Sequence, residues 1–286
     1  MAIPLPEAWF DGGFRPLAEV RISPLDRGFL FADAVYEVIP VFRGRPFLLD
    51  AHLERLERSL AALRIRNPHD RAAWRGIVTG LVSRNGGGTL AVYLQVTRGA
   101  DAGRDHAFPD AGLAPTVFGM VTPVPDPHPD RHGIAAITRL DDRWDRCEIK
   151  ATALLANVLA RQAAREAGAG ETLLLRDGYL TEASASSVLV VEGGTVLRPP
   201  PAPAILPGTT SDAVLTILTA LGVPWRDEPV TEARLRAADE IWIAAATRGV
   251  VAVLSLDGTP VGSGRPGPLW ARVAAAFEKL KDAGQR

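Results

Sequence analysis

One amine stands out as a group that could do chemistry. Of 32 basic residues only three are lysines, Lys150, Lys279 and Lys281, and the rest are arginines. Arginine cannot replace lysine where an imine must form, because only a primary amine with an accessible neutral form condenses with an aldehyde. Lys279 and Lys281 fall in a polar C-terminal run, whereas Lys150 stands alone between Ile149 and Ala151. Taken by itself, Lys150 is equally a residual surface lysine in an arginine-rich chain.

Imine chemistry on an aromatic aldehyde needs three further things: a carboxylate at the ring nitrogen, an anion site, and a trap for the substrate carboxylate. Glu182, in the run Leu180-Thr181-Glu182-Ala183-Ser184 at the end of a strand expected over 171–180, suits the first. A carboxylate there keeps the nitrogen protonated, so the ring accepts electrons when an α-proton leaves. An arbitrary glutamate at a hairpin end is more often simply solvated. Gly208-Thr209-Thr210-Ser211 stands where a proline-rich loop meets a helix, and the unpaired amides of a helix start suit a phosphate dianion. The same residues also make an ordinary cap. Arg55, on an amphipathic helix, adds a fixed charge for such an anion, although a surface arginine is the plainer reading. The loop Arg104-Asp105-His106 pairs a bidentate carboxylate binder with an imidazole, and Tyr36 brings a hydroxyl into an apolar strand. A solvated loop and a core tyrosine are the alternatives.

Periodicity and turn chemistry outline the elements that must position these residues. A turn at Asp11-Gly12-Gly13 precedes a β-rich run over 34–42 and a turn at Gly44. Asp50 is placed to cap a helix over 52–63, where Leu53, Leu56, Leu60 and Leu63 recur at three and four. A second helix over 69–83 is broken by Gly86-Gly87-Gly88; a strand over 90–97, a polar loop over 99–110 and a strand over 116–121 follow. The proline-rich stretch 123–133 reads as a linker between a small N-terminal domain, 1–122, and a larger C-terminal domain, 134–286. Beyond it come a strand over 134–140, a helix over 151–167 ended by Gly168, and hairpins turning at Arg176-Asp177-Gly178 and Glu192-Gly193-Gly194. After the connection 198–207 a helix is expected over 210–221, strands over 241–246 and 250–256, and a closing helix from Pro268. Strands and helices in runs, rather than in strict alternation, give an α+β class. Gly262-x-Gly264-x-x-Gly267 matches a dinucleotide fingerprint in letters only: it contains Pro266 and leaves no room for a βαβ unit.

Composition bounds the function classes. A net charge of −1 and a charged share of 23% exclude a polyanion-steered protein or a disordered tail, so no nucleic acid is expected as partner. Cys147 is the single cysteine, which rules out an intrachain disulfide and suits a reducing compartment. No apolar run approaches the ~18 residues of a membrane span, and residues 1–19 lack the pattern of a signal peptide. A cytoplasmic protein with no membrane partner is expected.

The ordered motifs Asp26-Arg27-Gly28, Asp33-Ala34-Val35-Tyr36-Glu37, His52-Leu53-Glu54-Arg55-Leu56, Val96-Thr97-Arg98-Gly99, Cys147-Glu148-Ile149-Lys150, Thr181-Glu182, Ile205-Leu206-Pro207-Gly208 and Asp239-Glu240 carry a resemblance. Over nearly its whole length the chain resembles the fold-type IV pyridoxal-phosphate enzymes, the superfamily of D-amino acid and branched-chain aminotransferases, and most closely the D-amino acid aminotransferases. The resemblance implies an α+β chain of two domains, a small N-terminal one and a larger, sheet-rich one that binds the cofactor. It implies pyridoxal 5'-phosphate as cofactor, with Lys150 as Schiff-base lysine and proton shuttle, Glu182 at the pyridine nitrogen and Leu206 packed on the ring. Arg55, Thr209 and Thr210 would hold the phosphate. Ala246 and Thr247 fall where the family contacts the cofactor; Ala245 and Ala246 replace the usual small hydroxyl residues, leaving Thr247 or backbone amides to substitute. Ala183, Ala185 and Ser187 likewise stand where glycine, serine and asparagine are usual. Tyr36, Arg104 and His106 match a carboxylate trap whose Arg-x-His loop crosses a dimer interface, so a homodimer with shared active sites is implied. The implied reaction is ping-pong transamination between amino acid and keto acid substrates, D-alanine with 2-oxoglutarate first. Branched-chain L-amino acid aminotransferases, aminodeoxychorismate lyases and R-selective amine transaminases share the cofactor. A catalytically silent relative that binds a metabolite or partner protein is the rival from another class, and it has no need of Lys150.

Overall fold

The computed structural model describes residues 3–109, 112–126 and 128–283. Asp110 of the loop expected over 99–110 and Pro127 of the stretch 123–133 lie outside them. The chain divides into two compact units, one running up to Asp126 and including Ile149–Ala153, the other made of the rest.

In the first unit β1 (Glu7–Phe10), β2 (Gly13–Pro16), α1 (Arg27–Phe31), β3 (Ala34–Phe42), β4 (Arg45–Pro46), α2 (Leu49–Ala62), α3 (Arg71–Arg84), β5 (Leu90–Thr97) and β6 (Val117–Pro123) follow one another. Their strands form an antiparallel sheet in the order β2-β1-β6-β5-β3-β4. Alternation along β3 buries Val35, Ile39 and Val41 against Leu53, Leu56 and Leu60 of α2 and Trp74, Ile77 and Leu81 of α3. Each such side chain contributes about 1.5–3 kcal/mol on leaving water. Asp50 is not the cap of α2. The chain enters the helix from Leu48 at φ 54°, with no side-chain cap. Asp50 sits inside the first turn, where a negative charge still complements the helix dipole, and pairs with Arg75.

The segment carrying Lys150 is added to β3 as extended backbone. Tyr36 N donates to Lys150 O at 2.9 Å, Thr152 N donates to Ala34 O at 3.0 Å, and Ala151 bridges Val35. These bonds hold residues 150–152 out of helical geometry, so the helix expected from residue 151 starts only at Leu155.

The second unit contains β7 (Ile134–Leu140), α4 (Leu155–Glu166), β8 (Glu171–Arg176), β9 (Tyr179–Ala183), β10 (Ser187–Glu192), β11 (Thr195–Arg198), α5 (Thr209–Ala220), β12 (Trp225–Asp227), α6 (Glu232–Arg236), β13 (Glu240–Ala245), β14 (Gly249–Leu256), β15 (Thr259–Pro260) and α7 (Pro268–Ala283). Its sheet runs β12-β11-β10-β13-β14-β7-β8-β9, with β15 against β14. Parallel pairs β14·β7, β7·β8 and β11·β12 stand among antiparallel ones, as an α+β sheet allows. Asp177 at φ 53° and Gly178 at φ 79° turn β8 into β9. That turn splits the strand expected over 171–180, so Glu182 lies within β9 rather than beyond a strand end. Gly267 leaves room for Glu240, whose carboxylate accepts from Leu269 N at 3.0 Å and Trp270 N at 2.9 Å. The glycines of the apparent fingerprint thus belong to the turn after β15 and to the start of α7.

Candidate functional site

In the first unit Lys150 is half-buried between buried Ile149 and Ala151. Its ammonium lies 4.3 Å from the centroid of the Tyr36 ring, and among the described residues no carboxylate pairs with it. Tyr36 itself stacks on Tyr93 at 5.7 Å. Beside them is a buried cluster of Glu37 on β3 with His52 and Arg55 on α2. Glu37 accepts from Arg55 Nε at 2.7 Å and Nη2 at 2.9 Å, and its other bond is to His52 Nδ1 at 2.7 Å. Burial pushes the Glu37 carboxyl up, but the charge and hydrogen bonds of Arg55, helped by His52, outweigh it and hold the group at about 2. Burial also depresses His52; Glu37 opposes that, while Arg55 and Lys150 add to it. A neutral imidazole bonded this way carries its proton on Nδ1.

Arg104 and His106 are exposed on the loop after β5. They meet through Phe31, whose ring centroid lies 4.9 Å from the Arg104 guanidinium and 5.1 Å from the His106 ring. Among the described residues no contact joins this pair to Tyr36.

In the second unit Glu182 accepts from Leu206 N at 3.3 Å and from Arg143 Nη1. Arg143 is clasped from its other side by Asp141, through Nε and Nη2 at 2.8 Å each, and donates to Ala204 O at 3.0 Å. Thr181 Oγ1 donates to Asp141 at 2.8 Å. Burial raises Asp141, yet Arg143 holds it below the usual carboxylate range. Arg176 Nη2 also reaches Asp141 at 3.3 Å, so Asp141 is shared between two guanidiniums while Glu182 keeps Arg143 and the Leu206 amide. Thr209, Thr210 and Ser211 are buried at the start of α5, and the cap position, Gly208, supplies no side chain. A Cβ on Gly208 would lie 2.3 Å from Ser187 Oγ, so any larger residue here would displace that hydroxyl. A cavity of about 510 Å³ is lined by Glu182, Leu206, Gly208 and Ser211, among others. Ser211 Oγ is buried with no hydrogen-bond partner among the described residues. Ala246 and Thr247 are half-buried in the β13–β14 turn. Arg248 ties that turn to Asp130 at 2.8 Å and to fully buried Glu171 at 2.9 Å.

The second unit therefore offers a carboxylate, a helix start, an orphaned hydroxyl and an apolar wall around a cavity of ligand size. A phosphorylated heteroaromatic ring fits that donor set. Arg143 and Asp141 escape sequence reasoning because an Asp-Asp-Arg run at a strand end has no period to mark it. Glu37 and His52 had a signal: a lone acid in an apolar strand must find a buried partner. Among the described residues no helix is long and apolar enough to cross a membrane, and no group of His, Cys, Asp or Glu could hold a metal ion.

Comparison with known proteins accords with this geometry. The Amino-transferase class IV family model matches residues 34–256. The chain is 38% identical over 270 residues to the D-alanine aminotransferase of Bacillus licheniformis, covering 94% of this chain and 95% of that one. It is 34% identical to the D-alanine aminotransferase of Listeria innocua, covering 91% and 90%. A branched-chain amino acid aminotransferase from T.th., solved with pyridoxamine 5'-phosphate, superposes with a TM-score of 0.88 at 26% identity, covering 97% and 95%. The chain belongs to the class IV aminotransferases, the fold-type IV enzymes that use pyridoxal phosphate.

Proposed function

We propose that this enzyme moves the amino group of a D-amino acid, D-alanine first, to a 2-oxo acid such as 2-oxoglutarate by a ping-pong route. The observation that carries the reading is Lys150: an isolated amine on the Tyr36 ring, with no carboxylate partner among the described residues. Relatives named D-alanine aminotransferase support the substrate class. Bound pyridoxal phosphate supplies the aldehyde for the amine and an electron sink for the carbon acid. Lys150 Nζ takes the proton from the substrate α-carbon and returns it. Glu182, fixed by Arg143 and by Leu206 N, holds the ring nitrogen protonated, and Leu206 packs on the ring. Arg55 and the α5 start at Thr209 and Thr210 hold the phosphate, with the backbone at Ala246 and Thr247. Tyr36, Arg104 and His106 orient the substrate carboxylate.

A homodimer with shared sites follows from the same reading. Among the described residues no contact joins Arg104 or His106 to Tyr36, and α4 exposes Leu155, Val158 and Leu159 at 74%, 59% and 60%, an apolar face suited to a second copy. The single cysteine supports a cytoplasmic setting.

The test is spectroscopic. Protein incubated with pyridoxal phosphate should show an absorbance band near the visible edge that is absent from Lys150→Ala, and the band should change with D-alanine but not L-alanine. A colourless protein removes the reading. Turnover of L-leucine without turnover of D-alanine moves the chain to another subclass.

A further inference from the structure

We propose that Phe31 and Arg27 are positioning residues that present Arg104 and His106 to the substrate carboxylate. This rests on the carboxylate-trap reading of Arg104 and His106 and adds what holds them. Phe31 closes α1, and three groups gather on its ring: the guanidiniums of Arg27 and Arg104, each 4.9 Å from the centroid, and the His106 imidazole at 5.1 Å. Stacking engages the face of a guanidinium and leaves its N–H edge open. Among the described residues Arg104 has no hydrogen-bond partner, so the ring holds the guanidinium while its donors remain available for a carboxylate.

Arg27 fixes the loop backbone beneath. Its side chain is only 3% exposed and donates from Nη1 to Asp105 O at 2.6 Å and from Nη2 to His106 O at 3.3 Å. Its Nε donates to Asp33 at 2.9 Å, and Asp33 also accepts from Arg98 at 2.7 and 2.9 Å. Arg98 in turn lies 3.9 Å from the Phe108 ring, at the far end of the loop. The loop is thus held at 105, 106 and 108, with Arg104 stacked on Phe31. The helix that carries Arg27 and Phe31 is set by buried Asp26, which accepts from Gly28 N at 2.8 Å, Thr97 Oγ1 at 3.0 Å and Thr116 Oγ1 at 2.7 Å. Gly28 is required because a Cβ there would meet Thr97 Cγ2 at 2.4 Å. A pre-oriented guanidinium loses less rotamer freedom on binding than one ordered by the ligand. Loss of the platform should therefore appear in substrate affinity, not in the chemical step.

The holoenzyme variants Phe31→Leu, Phe31→Tyr, Arg27→Lys and Arg104→Ala test this. Phe31→Leu keeps the bulk but removes the π face, and lysine at 27 cannot span Asp33 and two carbonyls. Phe31→Leu, Arg27→Lys and Arg104→Ala should each raise the KM for both D-alanine and 2-oxoglutarate about tenfold or more, with kcat and the cofactor Kd from absorbance titration unchanged, and Phe31→Tyr should keep both KM values near those of the native chain. An unchanged KM in Phe31→Leu, with a raised KM in Arg104→Ala, overturns the platform and spares the trap. An unchanged KM in Arg104→Ala overturns the trap and the platform with it. A fall in kcat and in cofactor affinity in step with a lowered Tm makes Phe31 merely structural and also overturns the proposal.

Discussion

Two arginines of the first unit, both assigned to anions, are held in opposite ways. Arg55 is buried, and its Nε and Nη2 are engaged by fully buried Glu37. Arg104 is exposed, its guanidinium over the Phe31 ring at 4.9 Å, with no hydrogen-bond partner among the described residues. Burial forces the first arrangement, because a guanidinium out of water requires a counter-charge. The rigid arginine therefore shares its charge with Glu37. The exposed arginine keeps its full charge, and an aromatic face orders it without consuming a donor. On the proposed reading, rigidity goes to the arginine of the permanent ligand and accessibility to that of the transient one.

Removing the buried counter-charge is the hardest blow to this contrast. Glu37→Ala leaves Arg55 uncompensated and should lower unfolding stability by about 3–5 kcal/mol in urea titration; a loss below about 1 kcal/mol would mean that Arg55 does not need its partner. Acid should act on the same cluster. The Glu37 carboxyl is lowered from 4.5 to about 2 in the folded chain, so its stabilisation is complete above the unfolded value and disappears as pH falls through that window. The depressed His52 works in the same direction, costing stability once the unfolded imidazole begins to protonate. The stability gap between the native chain and Glu37→Gln should close between about pH 4.5 and pH 2, and a pH-independent gap refutes the assignment. Next in size is Arg104→Ala: a rise in KM for D-alanine of roughly 10- to 100-fold, from a lost charged hydrogen bond of about 1.5–3 kcal/mol, with Tm almost unmoved. The smallest effect is expected at the β13–β14 turn. Ala246→Ser supplies a hydroxyl beside the proposed phosphate position and should tighten cofactor binding by about three- to tenfold in an equilibrium titration; an unchanged Kd would mean that the added hydroxyl gains no contact with the cofactor.

The candidate groups stood out in the sequence because their types are improbable where they stand. Lys150 is conspicuous among arginines, and Gly208-Thr209-Thr210 follows a run of prolines. The strand over 34–42 and the hairpin turn at 177–178 matched because period-two alternation and an Asp-Gly pair are local signals. Asp50 misled because a left-handed Leu48, and not a polar cap, begins α2. Residues 151–154 misled because their helical composition yields to backbone bonds from β3, partners more than a hundred residues away. Arg143 was invisible for the same reason: its partner Glu182 is 39 positions distant. What stayed hidden is long-range pairing, which no window of sequence contains.

The return of Ile149–Ala153 to the first unit has a consequence for how the chain can be cut. The covalent thread leaves that unit after Asp126, comes back for these five residues and leaves again. A split in the proline-rich stretch would sever the reactive nitrogen from the β3 strand whose amide and carbonyl seat it, and would strip Val35 of its bridge. The two halves are therefore not separable modules: the amine belongs to one unit by its place in the fold, while the chain on either side of Ile149–Ala153 belongs to the other.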